Sequence, residues 1–412
     1  PGGCERGGMR TTLARSCFLP PPAFIRPSAS LLLSAPTIHR SQPLVRQSSC
    51  SFLPSLSSGR TLASPAWPSP FFKSSWTSRS PQKHHTRKFA LRTAGKYGMA
   101  MELQTTLKIA CLQLACGTNK KANIENAAAK IAAASKQGAE IIVLPECFNS
   151  PYGTKYFPEY AENVIEGQSE TALMLSTAAR DNKVFIVGGS FPEKEGEKIY
   201  NSCYIFNRDG DMVARHRKVH LFDIDIPGKI TFKESDTLSP GDCPTIVDLS
   251  EHGGPPVRMG IGICYDIRFP ELALLYRHLG CSMLVYPGAF NMVTGPAHWE
   301  LLLRARAVDT QSFGIVCSPA RDESADYIAW GHSMIVDPWG EKLGELQEKE
   351  DILMVDLDLT QVVSRRQNMP YWLQRRQDIY KVTSAAEGGV MMMLSLQLSS
   401  PFMPEKKPSP DK

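Results

Sequence analysis

The sequence lacks the usual marks of a metalloprotein, a disulfide-linked protein or a membrane protein. None of its eleven cysteines forms a C-x-x-C pair or stands at zinc-finger spacing from a histidine. No apolar run is long enough to span a bilayer. We therefore expect a reduced protein without structural disulfides, metal or a membrane partner. Several cysteines lie inside apolar runs and are predicted to be small buried side chains: Cys111, Cys203, Cys281 and Cys317.

Acidic residues are almost absent from residues 1–100. This segment holds 14 Lys and Arg against one acid, Glu5, a net charge of +13. The remainder holds the other 32 of the 46 basic residues and 40 of the 41 acidic ones, a net charge of −8. An acidic remainder gives no electrostatic reason to expect a nucleic-acid partner.

Residues 1–100 are also rich in Ser, Pro and Arg, the composition of a plastid or mitochondrial transit peptide. We expect a disordered arm that directs import into one of these organelles. Two alternatives remain open. The arm could be a disordered segment without a targeting function. It could also be leader sequence upstream of a translation start at Met9, Met99 or Met101. A start at Met99 or Met101 would leave the protein in the cytoplasm.

From residue 105 to residue 382, apolar runs of strand length alternate with helical periodicity, which predicts one α/β catalytic domain. The predicted strands are 108–115, 140–144, 184–188, 200–207, 212–216, 259–263, 282–286, 313–317, 333–336 and 352–357. The predicted helices are 123–137, 170–181, 269–278 and 298–311. Residues 207–210 (Asn-Arg-Asp-Gly) indicate a hairpin turn. Residues 383–412, rich in Gly, Met, Ser and Pro, are predicted to be a disordered tail.

Cys264 follows a predicted strand, and helical periodicity begins directly after it. A strand–turn–helix context exposes a nucleophile, and a helix N-terminus stabilises a thiolate over a thiol. Because Tyr-Asp follows it rather than further apolar residues, we predict that Cys264 is a nucleophile. The alternative is another buried core cysteine.

Two further polar residues follow predicted strands. Glu146 ends the run Ile-Ile-Val-Leu-Pro-Glu, and burial there would raise its pKa and suit it as a general base. Strand alternation places Lys218 on the face opposite Arg217, where a buried ammonium could stabilise an oxyanion. Alternatively, Glu146 caps a loop or pairs with an arginine, and Lys218 belongs to a basic edge strand.

Three segments together resemble the signatures of the nitrilase superfamily, in that family's order: Leu-Pro-Glu146, Arg-Lys218-x-His-Leu-Phe and Gly-Ile-Cys264-Tyr-Asp-x-Arg-Phe. Within the superfamily the chain resembles the ω-amidases, on the segments 145–153, 220–232, 286–291 and 295–300. The similarity covers roughly residues 105–382. It implies an αββα sandwich, a homodimer or larger assembly, and a second glutamate near the lysine, which we match to Glu234.

The resemblance implies hydrolysis of a small-molecule amide through a cysteine thioester. Glu146 would be the base, Cys264 the nucleophile, and Lys218 with the Tyr265 backbone N–H would hold the oxyanion. Side chains fill every role, so no metal or organic cofactor is required.

The implied substrates are 2-oxoglutaramate and 2-oxosuccinamate. Their distal carboxylate needs a hydroxyl or a cation across the pocket, and the candidates are Tyr152, Lys155 and Arg268. Each has a structural alternative: Tyr152 and Lys155 could anchor a loop, and Arg268 could pair with Asp266 or Glu271. The rival functions are a nitrilase, an N-carbamoyl amine or deaminated-glutathione amidohydrolase, and a catalytically silent binding scaffold.

Overall fold

The structure is a computed structural model that describes residues 105–228, 230–249 and 257–383, with the backbone of 391–393. The predicted targeting arm, residues 1–100, lies outside the described residues, so its disorder and its role in import stay predictions.

The first sheet has seven strands and carries two of the predicted site residues at strand ends. Its strands run in the order β15–β1–β2–β3–β5–β4, with β6 also paired to β5. Their bounds are β1 Thr106–Gln113, β2 Ile141–Val143, β3 Phe185–Val187, β4 Phe191–Glu195, β5 Lys198–Phe206, β6 Met212–Arg217 and β15 Asp351–Asp358. β5 and β6 pair antiparallel across the predicted Asn207–Gly210 turn, which confirms the hairpin.

The second sheet also has seven strands, in the order β14–β13–β12–β11–β10–β9–β16. Their bounds are β9 Thr245–Leu249, β10 Val257–Ile261, β11 Met283–Pro287, β12 Phe313–Cys317, β13 Met334–Val336, β14 Lys342–Glu345 and β16 Met391–Met393. A separate two-stranded ribbon joins β7 (Asp223–Ile226) to β8 (Ile230–Lys233).

Helices cover the outer face of each sheet. Their bounds are α1 Lys120–Lys136, α2 Phe157–Tyr160, α3 Glu170–Asn182, α4 Pro270–His278, α5 Gly295–Thr310 and α6 Thr360–Asn368. The N-cap side chains of α1 and α3, Asn119 and Ser169, each accept a backbone N–H of the first turn.

Strand alternation divides the core into layers. On β1, Ile109 and Cys111 face the second sheet, whereas Ala110 and Leu112 face α1 and α3. The apolar side chains of α4 and α5 pack on the second sheet. The result is the predicted αββα sandwich. The four cysteines predicted to be buried have no exposed surface.

Two sequence-based expectations differ from the structure. Within the predicted disordered tail, Met391–Met393 form β16, which pairs with β9 and satisfies backbone groups that an edge strand would leave unpaired. The predicted helix 269–278 is confirmed as α4, Pro270–His278, which Pro270 opens. The helical periodicity expected directly after Cys264 is instead a 3-10 turn, Cys264–Arg268.

Candidate active site

Glu146 lies three residues beyond β2, where the chain makes a sharp turn. The next residue, Cys147, has a φ of 51°, a left-handed conformation that is costly for a side chain with a Cβ. Gly189 packs against this turn, and a Cβ there would lie 2.2 Å from the Pro145 carbonyl oxygen. Close packing of the backbone thus holds the glutamate at the end of its strand.

Lys218 directly follows β6, and its side chain has no exposed surface. Alternation along this segment buries His216 and Lys218 while Arg215 and Arg217 remain partly exposed on the other face. The two arginines pair with Glu193 and Glu195 there. Lys218 is therefore a core residue, and the edge-strand alternative does not describe it.

Cys264 follows β10 in the second sheet and has a φ of 48°. Left-handed backbone at a non-glycine residue stores strain and often marks a functional position. The side chain is 4% exposed. The turn therefore presents the thiol at the bottom of a covered site rather than on the protein surface.

Glu146, Lys218 and Glu234 form one buried cluster. The Lys218 Nζ donates to Glu146 Oε1 and to Glu234 Oε1, at 2.9 Å each. Burial disfavours the ammonium, but the two carboxylates outweigh it and raise the pKa of Lys218 well above its ordinary value. Lys218 is thus a fixed positive charge in a medium where such a charge acts strongly.

Burial also raises the pKa of Glu146. The Lys218 charge opposes this increase, and the Glu234 charge adds to it. A hydrogen bond with the Cys264 side chain lowers the pKa of Glu146, so the thiol lies within reach of this carboxylate. A carboxylate with a raised pKa in contact with a thiol is suited to accept the proton of that thiol.

The surroundings of Cys264 oppose the thiolate that a helix N-terminus would favour. Burial raises the pKa of Cys264 well above its ordinary value, and the Glu146 carboxylate raises it further. Lys218 and a backbone hydrogen bond from Ala289 lower it, but by less. A five-residue 3-10 turn also separates Cys264 from α4, so the thiol does not lie at the N-terminus of that helix. The surroundings of Cys264 therefore favour its thiol form over its thiolate.

Asp266 connects the cysteine turn to the lysine strand. Its carboxylate accepts the Ile263 backbone N–H at 2.8 Å and the His220 backbone N–H at 2.9 Å. It also lies 3.1 Å from His216 Nε2 and 2.7 Å from His220 Nδ1. Ile263 precedes Cys264, and the two histidines flank Lys218 along the chain. Asp266 therefore fixes Cys264 and Lys218 relative to each other.

Two of the residues predicted to bind the substrate are engaged elsewhere. The Tyr152 hydroxyl donates to Glu234 Oε1 at 2.6 Å, so this tyrosine supports the buried cluster. Lys155 is 66% exposed and forms an ion pair with Asp326 at 2.6 Å, which agrees with the alternative of a loop anchor. The hydroxyl proton of Tyr152 is thus committed to Glu234, and the Lys155 ammonium has its own counter-ion in Asp326.

Arg268 differs, because it lines a narrow pocket that contains Cys264. The other lining residues are Phe222, Tyr265, Ala289, Phe290, Thr294 and Tyr327. Neither predicted pairing is present: Asp266 binds the histidines, and no ion pair joins Arg268 to Glu271 in the described part of the chain. The Arg268 Nη1 contacts His298 Nδ1 at 3.2 Å, and its Nε is buried without a partner. Burial lowers its pKa from 12.5. A guanidinium keeps its charge in proteins, so Arg268 is a cation in this pocket.

Sequence reasoning missed Asn201 and Ala289. Asn201 lies on β5, and its Nδ2 donates to Glu146 Oε1 at 2.8 Å. Ala289 provides the backbone hydrogen bond to Cys264 from the loop after β11. The segment Tyr-Asn-Ser-Cys that contains Asn201 matches no catalytic motif. A backbone donor such as that of Ala289 is not indicated by the type of its side chain. Only the fold could reveal either residue.

Comparisons with known proteins agree with this geometry. Residues 108–367 match the carbon-nitrogen hydrolase family. The ω-amidase NIT2 of Bos taurus is 52% identical over 277 residues, which cover 67% of this chain and 98% of the relative. The ω-amidase NIT2 of Homo sapiens is 51% identical over 278 residues, covering 68% and 98%.

A solved structure shows the same architecture. Saccharomyces cerevisiae Nit3, a member of branch 10 of the nitrilase superfamily, aligns with a TM-score of 0.60 and 43% identity, over 67% of this chain and 97% of that one. The resemblance in the signature segments is thereby confirmed. The chain belongs to the carbon-nitrogen hydrolase family of the nitrilase superfamily and is a hydrolase of carbon–nitrogen bonds other than peptide bonds.

Proposed function

We propose that this protein is an ω-amidase that releases ammonia from the terminal amide of 2-oxoglutaramate or 2-oxosuccinamate. The relatives of about 50% identity support the activity class. The observation that carries the substrate class is Arg268, a charged guanidinium in the pocket of Cys264 without a carboxylate partner. Arg268 is half-buried. A partly desolvated charge without a counter-ion is costly, and the distal carboxylate of an ω-amide would provide one.

Aromatic side chains form part of the wall of the pocket that Cys264 and Arg268 share: Phe222, Phe290 and Tyr327. In the proposed binding mode, a short dicarboxylic monoamide has its amide carbon at the thiol and its carboxylate at the guanidinium. The ring contacts of Tyr327 with Tyr152 and Phe232, at 4.5 and 5.8 Å between centroids, reinforce that wall.

Acylation begins when Glu146 takes the Cys264 proton and Sγ attacks the amide carbon. The oxyanion is held by the Lys218 ammonium and the Tyr265 backbone N–H, each contact worth about 3 kcal/mol in related sites. Glu146 then passes the proton to the amide nitrogen, the C–N bond breaks, and ammonia leaves. A thioester remains on Cys264. Glu234 and Tyr152 hold Lys218 in place.

Deacylation repeats these roles with water. Glu146 removes a proton from water, the water oxygen bonds to the thioester carbon, and the C–S bond breaks. The proton on Glu146 returns to Sγ, which restores the resting thiol. Side chains and backbone of this chain fill every step.

A substrate panel tests the proposal. Ammonia release should be fastest from 2-oxoglutaramate or 2-oxosuccinamate and slower from glutamine, which carries an ammonium where these substrates carry a keto group. A simple nitrile and an N-carbamoyl amine separate the rival functions. Faster turnover of the nitrile, the carbamoyl amine or deaminated glutathione would overturn the ω-amidase assignment. No turnover of any member by folded protein would favour the silent scaffold.

We also propose that the protein forms a homodimer or larger assembly. Leu301 and Val308, seven residues apart on α5, share one helix face and are 63% and 45% exposed. Trp339 is 44% exposed, and the next residue, Gly340, lies against Val308. Light scattering should give at least a dimer mass, and Leu301→Lys with Val308→Glu should reduce it. A wild-type monomer at micromolar concentration would contradict the proposal.

Organelle import remains a proposal supported by the composition of residues 1–100 alone. Residues 9–100 fused to a fluorescent reporter should direct it to plastids or mitochondria, with cleavage between about residues 40 and 98. A matched fusion with the arginines of the arm changed to glutamine should stay diffuse. Diffuse signal from the unchanged fusion would contradict import and favour a start at Met99 or Met101.

A further inference from the structure

His298 is the hydrogen-bond partner of Arg268, the cation of the Cys264 pocket. Arg268 Nη1 lies 3.2 Å from His298 Nδ1, and no other hydrogen bond of this guanidinium is found among the described residues. Its other contacts are with aromatic faces, Phe290 at 4.7 Å and Tyr265 at 5.4 Å from the ring centroids. Such faces attract a cation but fix its rotation less tightly than a hydrogen bond does. The contact with His298 is therefore the directional one.

His298 lies in the first turn of α5, which several contacts hold in place. Its backbone N–H donates to the Thr294 oxygen at 2.9 Å, and Asn291 Oδ1 accepts the Thr294 backbone N–H at 2.9 Å. Gly295 packs against Trp330, where a Cβ would lie 2.4 Å from the indole ring. The imidazole is thus carried on a fixed piece of backbone, as a side chain that orients another side chain requires.

The histidine orients the arginine without neutralising it. A guanidinium has donors only, so His298 Nδ1 accepts this hydrogen bond, and an imidazole with an accepting nitrogen is neutral. A carboxylate in the same place would accept the hydrogen bond and would also cancel the charge of Arg268. The neutral acceptor leaves that charge available for an anionic group of the substrate.

The contact is not needed to attach α5 to the turn that carries Cys264. About two helical turns further along α5, Arg306 Nε donates to the Ile267 oxygen at 2.9 Å, and Arg306 is 7% exposed. A buried link between helix and turn therefore exists without His298, which leaves the orientation of Arg268 as the specific effect of the His298 contact.

We propose that His298 is a positioning residue that sets the orientation of Arg268 and thereby the preference of the pocket for an ω-amide with a distal carboxylate. This inference rests on the proposed function and adds the residue through which Arg268 is aimed. With Nη1 held by His298, the guanidinium keeps Nε and Nη2, the two donors that a carboxylate takes side-on.

Three substitutions separate the acceptor from its lack of charge. His298→Asn places a neutral amide oxygen close to the position of Nδ1, His298→Asp gives the same shape a negative charge, and His298→Leu removes the acceptor. KM and kcat are measured for 2-oxoglutaramate and for a short uncharged primary amide, beside a thermal melt. The control is His278→Leu, which changes a histidine of α4 that lines a different cavity, without Cys264 or Arg268.

We expect His298→Asn to keep KM for 2-oxoglutaramate within about threefold of wild type. His298→Leu should raise it about tenfold and His298→Asp by more, with little change in kcat or in the kinetics of the uncharged amide. His278→Leu should change neither constant. An unchanged KM in His298→Leu, equal increases in the Asn and Leu variants, or a loss shared by both substrates would overturn the inference.

A double variant shows whether His298 acts through Arg268. Once Arg268→Met has removed the guanidinium, adding His298→Leu should raise KM for 2-oxoglutaramate by less than about twofold more. Effects that multiply in full would mean that His298 acts elsewhere, and would also overturn the inference. If Arg268→Met alone left KM unchanged, carboxylate recognition itself would fail, so that failure is distinct from failure of the role of His298.

Discussion

Lys218 Nζ and Glu146 Oε1 lie 2.9 Å apart, and neither side chain has any exposed surface. Removing one partner from such a pair costs about 3–5 kcal/mol, because the other charge stays buried. Glu234 lies at the same distance from the ammonium, so the lysine balances two carboxylates. The pair is therefore the electrostatic centre of the site as well as a structural contact.

The first prediction concerns Lys218. Lys218→Met should lower kcat by about two or more orders of magnitude, because an oxyanion contact is lost. Lys218→Arg should not restore activity, because a planar guanidinium pairs with the carboxylates and cannot take the place of a compact ammonium. Steady-state kinetics beside a thermal melt separate chemistry from folding.

Lys155 provides the control for that experiment. It is an exposed lysine close to the site, and it pairs with Asp326 rather than with the buried cluster. Lys155→Met should retain near-normal kcat. If Lys218→Met also retained near-normal kcat in folded protein, Lys218 would have no catalytic role.

The second prediction concerns substrate recognition by Arg268. Arg268→Met should raise KM for 2-oxoglutaramate about ten- to a hundredfold, because a charge-assisted contact is lost. Its effect on kcat/KM for a short uncharged primary amide should be small. Arg277→Met is the matched control, since Arg277 also has an unpartnered Nε but lines no pocket with Cys264. Equal losses on both amides would argue against a role in carboxylate binding.

The third prediction is a pH dependence. The proposed mechanism requires ionised Glu146, and burial raises the pKa of that group above its ordinary 4.5. The acid limb of kcat/KM should therefore lie above pH 4.5, with activity lost as the pH falls through it. Glu234→Gln removes a charge that raises this pKa, so it should move the limb to lower pH. A limb that stayed in place would mean that another group titrates there.

The fourth prediction concerns Asp266. Burial opposes its charge, but hydrogen bonds from His216 and His220 outweigh burial and lower its pKa below 3.8. Its stabilising contribution is thus present above that pH and is lost as the pH falls below it. Asp266→Asn should lower the free energy of unfolding at pH 7 by about 2 kcal/mol or more, with a smaller difference near pH 3. Activity should fall with it, because the nucleophile turn loses its link to the lysine strand.

Asp248→Asn is the control for Asp266. Asp248 pairs with Arg258 at 2.6 Å, away from the site. Its loss should cost less stability and leave kcat unchanged. Equal activity losses in the two variants would indicate a general effect of destabilisation.

Long, strongly apolar segments were predictable from the sequence, whereas short polar ones were not. β12 has the predicted bounds, and the outer helices shift by a few residues at most. The missed strands include β4 (Phe-Pro-Glu-Lys-Glu) and β7 (Asp-Ile-Asp-Ile), whose sequences lack a continuous apolar run. These strands depend on pairing with a neighbour, which local periodicity does not encode.

In the candidate site, too, some residues were predictable from the sequence and others were not. Glu146, Lys218 and Cys264 could be predicted as site residues because each follows a strand, and catalytic groups gather at strand ends in α/β folds. The sequence could not show which of Arg268, Tyr152 and Lys155 binds the substrate carboxylate. The structure favours Arg268 because Tyr152 and Lys155 have other partners. The raised pKa of Cys264 depends chiefly on burial, which is not visible as a sequence pattern.

Ammonia release by Cys264→Ala is the most direct test of the proposed mechanism. Wild type, Cys264→Ala and the control Cys203→Ala, which changes a buried core cysteine, are compared with 2-oxoglutaramate after each has been shown to fold by thermal melting. The proposed thioester mechanism predicts no turnover above background for Cys264→Ala and near-normal turnover for Cys203→Ala. Wild-type-like ammonia release by folded Cys264→Ala would contradict it.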